Sequence, residues 1–172
     1  MKYFYYWIAL VVFIIDFITK RVIETKLEIN EKINVIGNFF IITSHRNSGA
    51  AFGILQNQMT FFIIITSIVI AGIVGYIYMN RHSGKPMLLA ALGLVLGGAL
   101  GNFLDRAWKG EVVDFLQFTF GSYVFPIFNI ADSGIVIGVG LIILDTLLSM
   151  KDENKPESNG DNNDANKQQP VS

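Results

Sequence analysis

The chain has 172 residues, of which 52% are hydrophobic and only 16% charged, and its formal net charge is −1. Soluble domains of this size do not carry so much apolar sequence, and a near-neutral chain offers no basic surface to a nucleic-acid partner. There is no cysteine, which excludes disulfides, thiol catalysis and cysteine–zinc sites.

Four apolar runs lie at about Tyr3–Ile18, Phe61–Met79, Met87–Leu104 and Pro126–Leu148. A hydrocarbon core of about 30 Å takes roughly 20 helical residues to cross, and a soluble bundle would alternate polar and apolar faces. The runs predict a mainly α membrane protein with four transmembrane helices, in one domain over residues 1–150. Lys2 before the first run is the mark of a secretory leader, but no small-residue cleavage site follows and Asp16 interrupts the run. It therefore reads as a helix of the mature protein. Asp16 and Lys20 are four residues apart with the acid first, the favourable order for a helical pair. The pair is either an interfacial one, with Lys20 reaching for headgroups, or part of a site.

A long insert follows, at about residues 22–58. Within it "KLEINEKINVIGNFFIITSH" is rich in Ile, Val and Phe and broken by Gly37-Asn38, which predicts short strands in a hairpin or small sheet. In "RNSGAAFGIL", Gly49 and Gly53 bracket Ala-Ala-Phe, a place for turns or close backbone approach. The third run ends in "GLVLGGALGNFLDRAWKG". Gly93, Gly97 and Gly101 form one stripe, whose small residues suit close helix packing. The neighbouring stripe is Gly98, Asn102 and Arg106. Arg106 could serve simply as an interfacial anchor, but a buried Asn102 amide needs partners.

Residues 105–125 read as a second loop on the same membrane face as the insert. Its "EVVDFLQF" sets Asp114 among apolar neighbours, where desolvation raises a carboxyl's pKa and favours pairing. The last run opens with "FNIADSG". Asn129 and Asp132 share a face there, and the helix N-terminus would stabilise an anion. Asp132 is either only a cap or a second acid beside Asp114. Two close carboxylates share a proton, so that one activates a water as base while the other acts as acid towards a carbonyl. This chemistry needs no cofactor and no metal. His45 and His82 lie in loops on opposite faces and make no metal cluster with the acids. Ser133 lacks a His or Lys base on its face, apart from the distant His45. Asp145 lies about 20 Å beyond Asp132 along a helix and reads as interfacial.

Other classes fit less well. An ion-coupled transporter would hold its acids near the bilayer midplane, within repeated halves, and no repeat is visible. A structural scaffold would not need these polar residues gathered on one face. The cations divide six against seven between the two sides, so the positive-inside rule leaves orientation open, with "NRHSGKP" leaning towards termini inside. From Lys151 onward, "KDENKPESNGDNNDANKQQPVS" is too polar to offset its ordering entropy, so residues 151–172 read as a disordered tail.

The motifs "RNSGAAFG", "GGALGNFLDR", "VVDF" and "FNIADS", in this order with an Asp16–Lys20 pair ahead of them, resemble those of the lipoprotein signal peptidases (signal peptidase II). The resemblance covers about residues 8–148. It implies a bacterial inner-membrane aspartyl protease that cuts prolipoproteins just before a diacylglyceryl-modified cysteine and is inhibited by globomycin-type compounds. It implies that Asp114 and Asp132 are the catalytic pair. It also implies that Asn47, Gly98, Asn102, Arg106, Asn129, Asp16 and Lys20 orient them or hold substrate. The fold implied has four helices, an extracytoplasmic β-cradle near residues 27–45 and a short surface helix after Gly49. Both termini would be cytoplasmic, with the active site near the extracytoplasmic face and membrane lipid around the helices. The tail lies outside the resemblance, so deleting residues 152–172 should leave prolipoprotein cleavage near that of the full chain, as measured with equal amounts of the two proteins in detergent.

Overall fold

The computed structural model describes residues 3–49, 54–81 and 85–153. In chain order they form α1 (Phe4–Lys26), β1 (Lys32–Ile36), β2 (Phe40–Asn47), α2 (Met59–Asn80), α3 (Pro86–Lys109), β3 (Val112–Phe120), β4 (Tyr123–Val124) and α4 (Ile130–Glu153). Each apolar run is a helix. Three are long and apolar enough to cross a membrane: Met59–Asn80, Pro86–Lys109 and Ile130–Lys151. α1 has similar length, 23 residues, but carries Asp16, Lys20, Arg21 and Glu24 in its second half. Four crossings are therefore not established by length and composition alone.

α3 is the central helix and packs against α1, α2 and α4. Its glycines make this possible. A Cβ at Gly97 would stand 2.5 Å from the Ala9 carbonyl oxygen of α1, and one at Gly98 would stand 2.3 Å from the Ala131 oxygen of α4. The predicted stripe Gly93, Gly97 and Gly101 thus faces α1, while Gly98 faces α4. Gly98 acts here through backbone packing and not through a polar contact. Gly110, at φ 80°, ends α3, and its N–H bonds the Arg106 carbonyl. Left-handed backbone of this kind favours glycine.

The sheet is antiparallel in the order β1-β2-β3-β4. The insert forms the expected hairpin, with Gly37 at φ 48° in its turn. The run 105–125 is not a loop. Asp105–Lys109 complete α3, and "VVDFLQFTF" is β3, paired along β2. Its lack of alternation has a physical cause, because both faces are covered. Val113 and Phe115 pack on Ile23 of α1, while Val112 and Asp114 line a cavity on the other side. Between Ile42 and His45, β2 takes three steps where β3 takes two. This bulge changes the parity of the strand, so that Asn47 and not Arg46 shares the face of Asp114.

Three boundaries differ from expectation. α1 continues to Lys26, so the insert begins later than residue 22. α4 continues to Glu153, three residues past the point where the composition turns polar, with Lys151 in its last turn, where a cation suits the helix dipole. The short helix expected after Gly49 falls partly on residues 50–53, outside the described residues; residues 54–57 form turns. Glycine 98 gives a test of the α3–α4 contact. Gly98→Ala should lower stability by about 1–3 kcal/mol through overpacking, whereas Gly75→Ala, with nothing within 4 Å, should be neutral or slightly stabilising. Thermal unfolding of both variants in detergent checks this.

Candidate active site

Lys20 sits in the interface between α1 and α3, 2% exposed. An ammonium there can only donate hydrogen bonds, and it finds three acceptors. They are Asp16 Oδ2 at 2.7 Å, Asp105 Oδ2 at 2.9 Å and Asn102 Oδ1 at 2.9 Å. Lys20 is therefore not reaching for headgroups. Asp16, fully buried, turns its other oxygen to the Ala131 N–H in the first turn of α4, at 2.8 Å. Gly101 leaves the space, since a Cβ there would stand 2.4 Å from Asp16 Oδ2.

The Lys20 contact also orients Asn102. Its oxygen faces the cation, so its Nδ2 points the other way and donates to Asp132 Oδ1 at 2.7 Å. Asn129 and Asp132 close a reciprocal cap at the start of α4. The Asp132 N–H donates to Asn129 Oδ1 at 2.9 Å, and the Asn129 N–H donates to Asp132 Oδ2 at 3.2 Å. This is the capping-box arrangement, so Asp132 does take part in a cap. Asn129 Nδ2 donates to Asp114 Oδ1 at 2.7 Å, and Asn47 Nδ2 to Asp114 Oδ2 at 2.8 Å. One residue, Asn129, thus touches both carboxylates.

Asp114 and Asp132 line one cavity of about 540 Å³. Asn47, Asn102 and Arg106 also line it, and apolar walls come from the segment 125–128 and from Ile135–Ile137. Burial pushes the Asp114 carboxyl up to about 7 from 3.8; Asp132's charge adds to the rise, and the Asn47 and Asn129 amides partly oppose it. A carboxyl with that value can hold or release a proton near neutrality. Arg106 donates to the Gly49 carbonyl at 3.2 Å, and its guanidinium lies 4.7 Å from the Phe62 ring centre. It anchors the turn after β2 beside the cavity.

Of the residues singled out from sequence, Asp114, Asp132, Asn47, Asn102, Arg106 and Asn129 meet at this cavity or on its acids. Asp16 and Lys20 stand behind it, and Gly98 acts in helix packing. His45 pairs through its Cα with Asp114 across β2 and β3 but is not among the described residues that line the cavity. Ser133 lines the cavity, and its Oγ donates to the Asn129 carbonyl at 3.0 Å. His82 lies outside the described residues. Asp105, read from the sequence only as a polar residue of the second loop, and Glu24 and Lys109, given no site role there, continue the ionic chain from Lys20. Lys109 meets Asp105 at 3.2 Å and Glu24 at 2.6 Å. The signal for the first contact is the four-residue spacing of Asp105 and Lys109 on one helix; the others cross between α1 and α3.

The sequence model of the family described as Signal peptidase (SPase) II matches residues 8–148. A lipoprotein signal peptidase of Bacillus pumilus (strain SAFR-032) is 54% identical over 149 residues, covering 86% of this chain and 95% of the relative. One from Brevibacillus brevis (strain 47 / JCM 6285 / NBRC 100599) is 53% identical over 148 residues, covering 86% and 97%. A solved bacterial membrane enzyme structure, obtained by the in meso method, superposes with a TM-score of 0.79 at 47% identity, covering 87% of this chain and 90% of that one.

The raised Asp114 value has a consequence for stability. Well below pH 3.8 the carboxyl is protonated whether the chain is folded or not. As pH rises from 3.8 to about 7, the unfolded chain releases the proton and the folded one retains it, so the fold loses stability until the folded value is passed. Asp114→Asn has no such loss. Its thermal stability relative to wild type should therefore improve as pH rises from 4 to 8, as read by unfolding in detergent. A difference that does not change with pH would contradict the raised value.

Proposed function

The chain belongs to the signal peptidase II family, and from that membership together with the two aspartates on one cavity we propose that it is an aspartyl endopeptidase. It is a multi-pass membrane peptidase that removes the signal peptide from prolipoproteins. In this reading it cuts just before a diacylglyceryl-modified cysteine. The observation that carries the chemistry is that Asp114 and Asp132 open onto the same groove with Asn129 bonded to both.

The proposed reaction follows from the electrostatics. A water bound between the carboxylates loses a proton to Asp132 as its oxygen attacks the scissile carbonyl. Asp114, which holds a proton near neutrality, donates it to the carbonyl oxygen; the tetrahedral intermediate then collapses as Asp132 passes the water's proton to the leaving amine and a hydroxyl proton returns to Asp114. The burial of Asp114 strengthens its interaction with the developing charge. Asn47, Asn102 and Asn129 hold the acids in position, and Arg106 with Gly49 borders the path of the substrate backbone. Lys20 and Asp16 fix Asn102 and the start of α4. Globomycin-type peptides would compete for the same groove.

Several observations support the finer placement. The outer surface of α1 exposes Trp7, Leu10, Val11, Ile14 and Ile18, which suits lipid and supports α1 as a fourth crossing. With four crossings both termini share a side. We place them in the cytoplasm, with the sheet and the groove at the outer face of a bacterial cell membrane. Acyl chains fix the depth of a lipid-modified cysteine, at about 0.8 kcal/mol per buried CH₂. Its peptide bond is then held near the headgroups. Asp132 is the third residue of α4, at a helix end, whereas a transporter's acids belong at midplane.

The test is cleavage of a diacylglyceryl-modified prolipoprotein by purified protein in detergent. Asp114→Asn and Asp132→Asn should each abolish cleavage, by about 10³-fold or more. Asn102→Ala, which leaves both acids present, should lower it by about 10–100-fold. Cleavage by Asp132→Asn at the wild-type rate would remove Asp132 from the mechanism.

A further inference from the structure

A second cavity, of about 280 Å³, opens between α1 and α3. It shares no lining residue with the groove. Its wall on α1 is Phe17, Lys20, Arg21 and Glu24, and its wall on α3 is Asp105, Trp108 and Lys109. It lies in the last turn of the span Pro86–Lys109, so it sits at the boundary between apolar and polar surroundings. Three of its lining groups are cationic and two anionic, and Asp16, behind the lining, balances Lys20.

These charges are not equally engaged. Lys20 is held by Asp16, Asp105 and Asn102, and Lys109 by Glu24 and Asp105. Arg21 is different. Its side chain is 68% exposed, and it approaches Glu24 only to 3.7 Å, too far for a hydrogen bond. Its planar guanidinium therefore has donors to spare at the mouth of the cavity, in the geometry that takes a phosphate by two parallel bonds. Trp108, 77% exposed beside it, has the amphipathic ring that favours the headgroup level of a membrane.

An apolar track leads out of the cavity. Leu10, Ile14, Phe17 and Arg21 recur at helical spacing, so they share one face of α1, and the three apolar members are exposed at 43%, 41% and 47%. The face thus has a cation at one end and an open apolar stripe running down from it. A free anion would use only the first feature; a phospholipid would use both.

We propose that this cavity binds the phosphodiester headgroup of an anionic membrane phospholipid, with Arg21 as the main phosphate donor and the Leu10–Ile14–Phe17 stripe carrying an acyl chain. Glu24 opposes the anion and sets the affinity. The site is separate from the peptidase groove, and its test does not depend on cleavage.

Phosphatidylglycerol or phosphatidylcholine is titrated into the full-length protein in detergent, and retained lipid is counted by native mass spectrometry. Wild type should retain one phosphatidylglycerol with a preference of about tenfold over phosphatidylcholine. Arg21→Gln should weaken phosphatidylglycerol binding about fivefold, and Glu24→Gln should strengthen it by a similar factor. Opposite shifts from two neutral substitutions on one helix cannot come from misfolding. Equal retention of the two lipids would overturn the anionic preference. No change in either variant would overturn the placement in this cavity. Displacement of the lipid by inorganic phosphate at matched concentration would show a free-anion site, and would overturn the role of the apolar stripe.

Discussion

A lysine ammonium buried between two helices must be matched, because an unpaired cation away from water costs several kcal/mol. Lys20 meets that demand with Asp16, Asp105 and Asn102, and each contact commits another part of the chain. Asp16 needs the gap at Gly101 and bonds the Ala131 N–H, which places the start of α4. Asn102 must turn its oxygen to the cation, so its amide is left for Asp132. Asp105 hands the charge on to Lys109 and Glu24. Such a network need not add net stability, since desolvation opposes the attraction. It defines one arrangement of α1, α3 and α4 in which the polar groups are satisfied, and the position of Asp132 follows from it.

Asp114 reaches the same place by a different route. It rides on a strand, and strand parity decides which residues join it. The extra residue in β2 before His45 brings Asn47 onto its face. The other amide on Asp114 comes from Asn129, whose side-chain oxygen caps α4 by accepting from the Asp132 N–H. The sheet and the helix bundle are thus joined at one asparagine. Its loss would leave Asp114 with one amide donor and α4 without its cap, so its effects on the two acids cannot be separated.

The helices were legible because lipid-spanning segments must satisfy their backbone internally and so appear as long apolar runs. The stripe of Gly93, Gly97 and Gly101 was legible for the same reason, as close packing in lipid needs small residues. β3 was not, because covering both of its faces removed the alternation that marks a strand. The polar residues at the cavity could be named from their setting: amides and acids at the ends of apolar runs are costly without partners. Their partners could not be named. Lys20 and Asp105 lie far apart in the chain, and nothing local joins them. His45 likewise meets Asp114 only through the β2–β3 register, which no local pattern reveals.

The cavity is graded along its length. Its polar end holds Asp114, Asp132 and Asn102, and one turn further along α4 the wall is Ile135 and Val136. The helix start supplies donors and partial positive charge only within its first turn, so the polarity ends where the turn ends. Beyond it, the apolar wall offers no hydrogen bonds to an extended backbone. A chain occupying the whole cavity would therefore need its peptide groups satisfied internally along that wall, as a helix does, and an exposed peptide bond only at the acids. A peptide that is helical along that wall and extended at the acids meets both requirements.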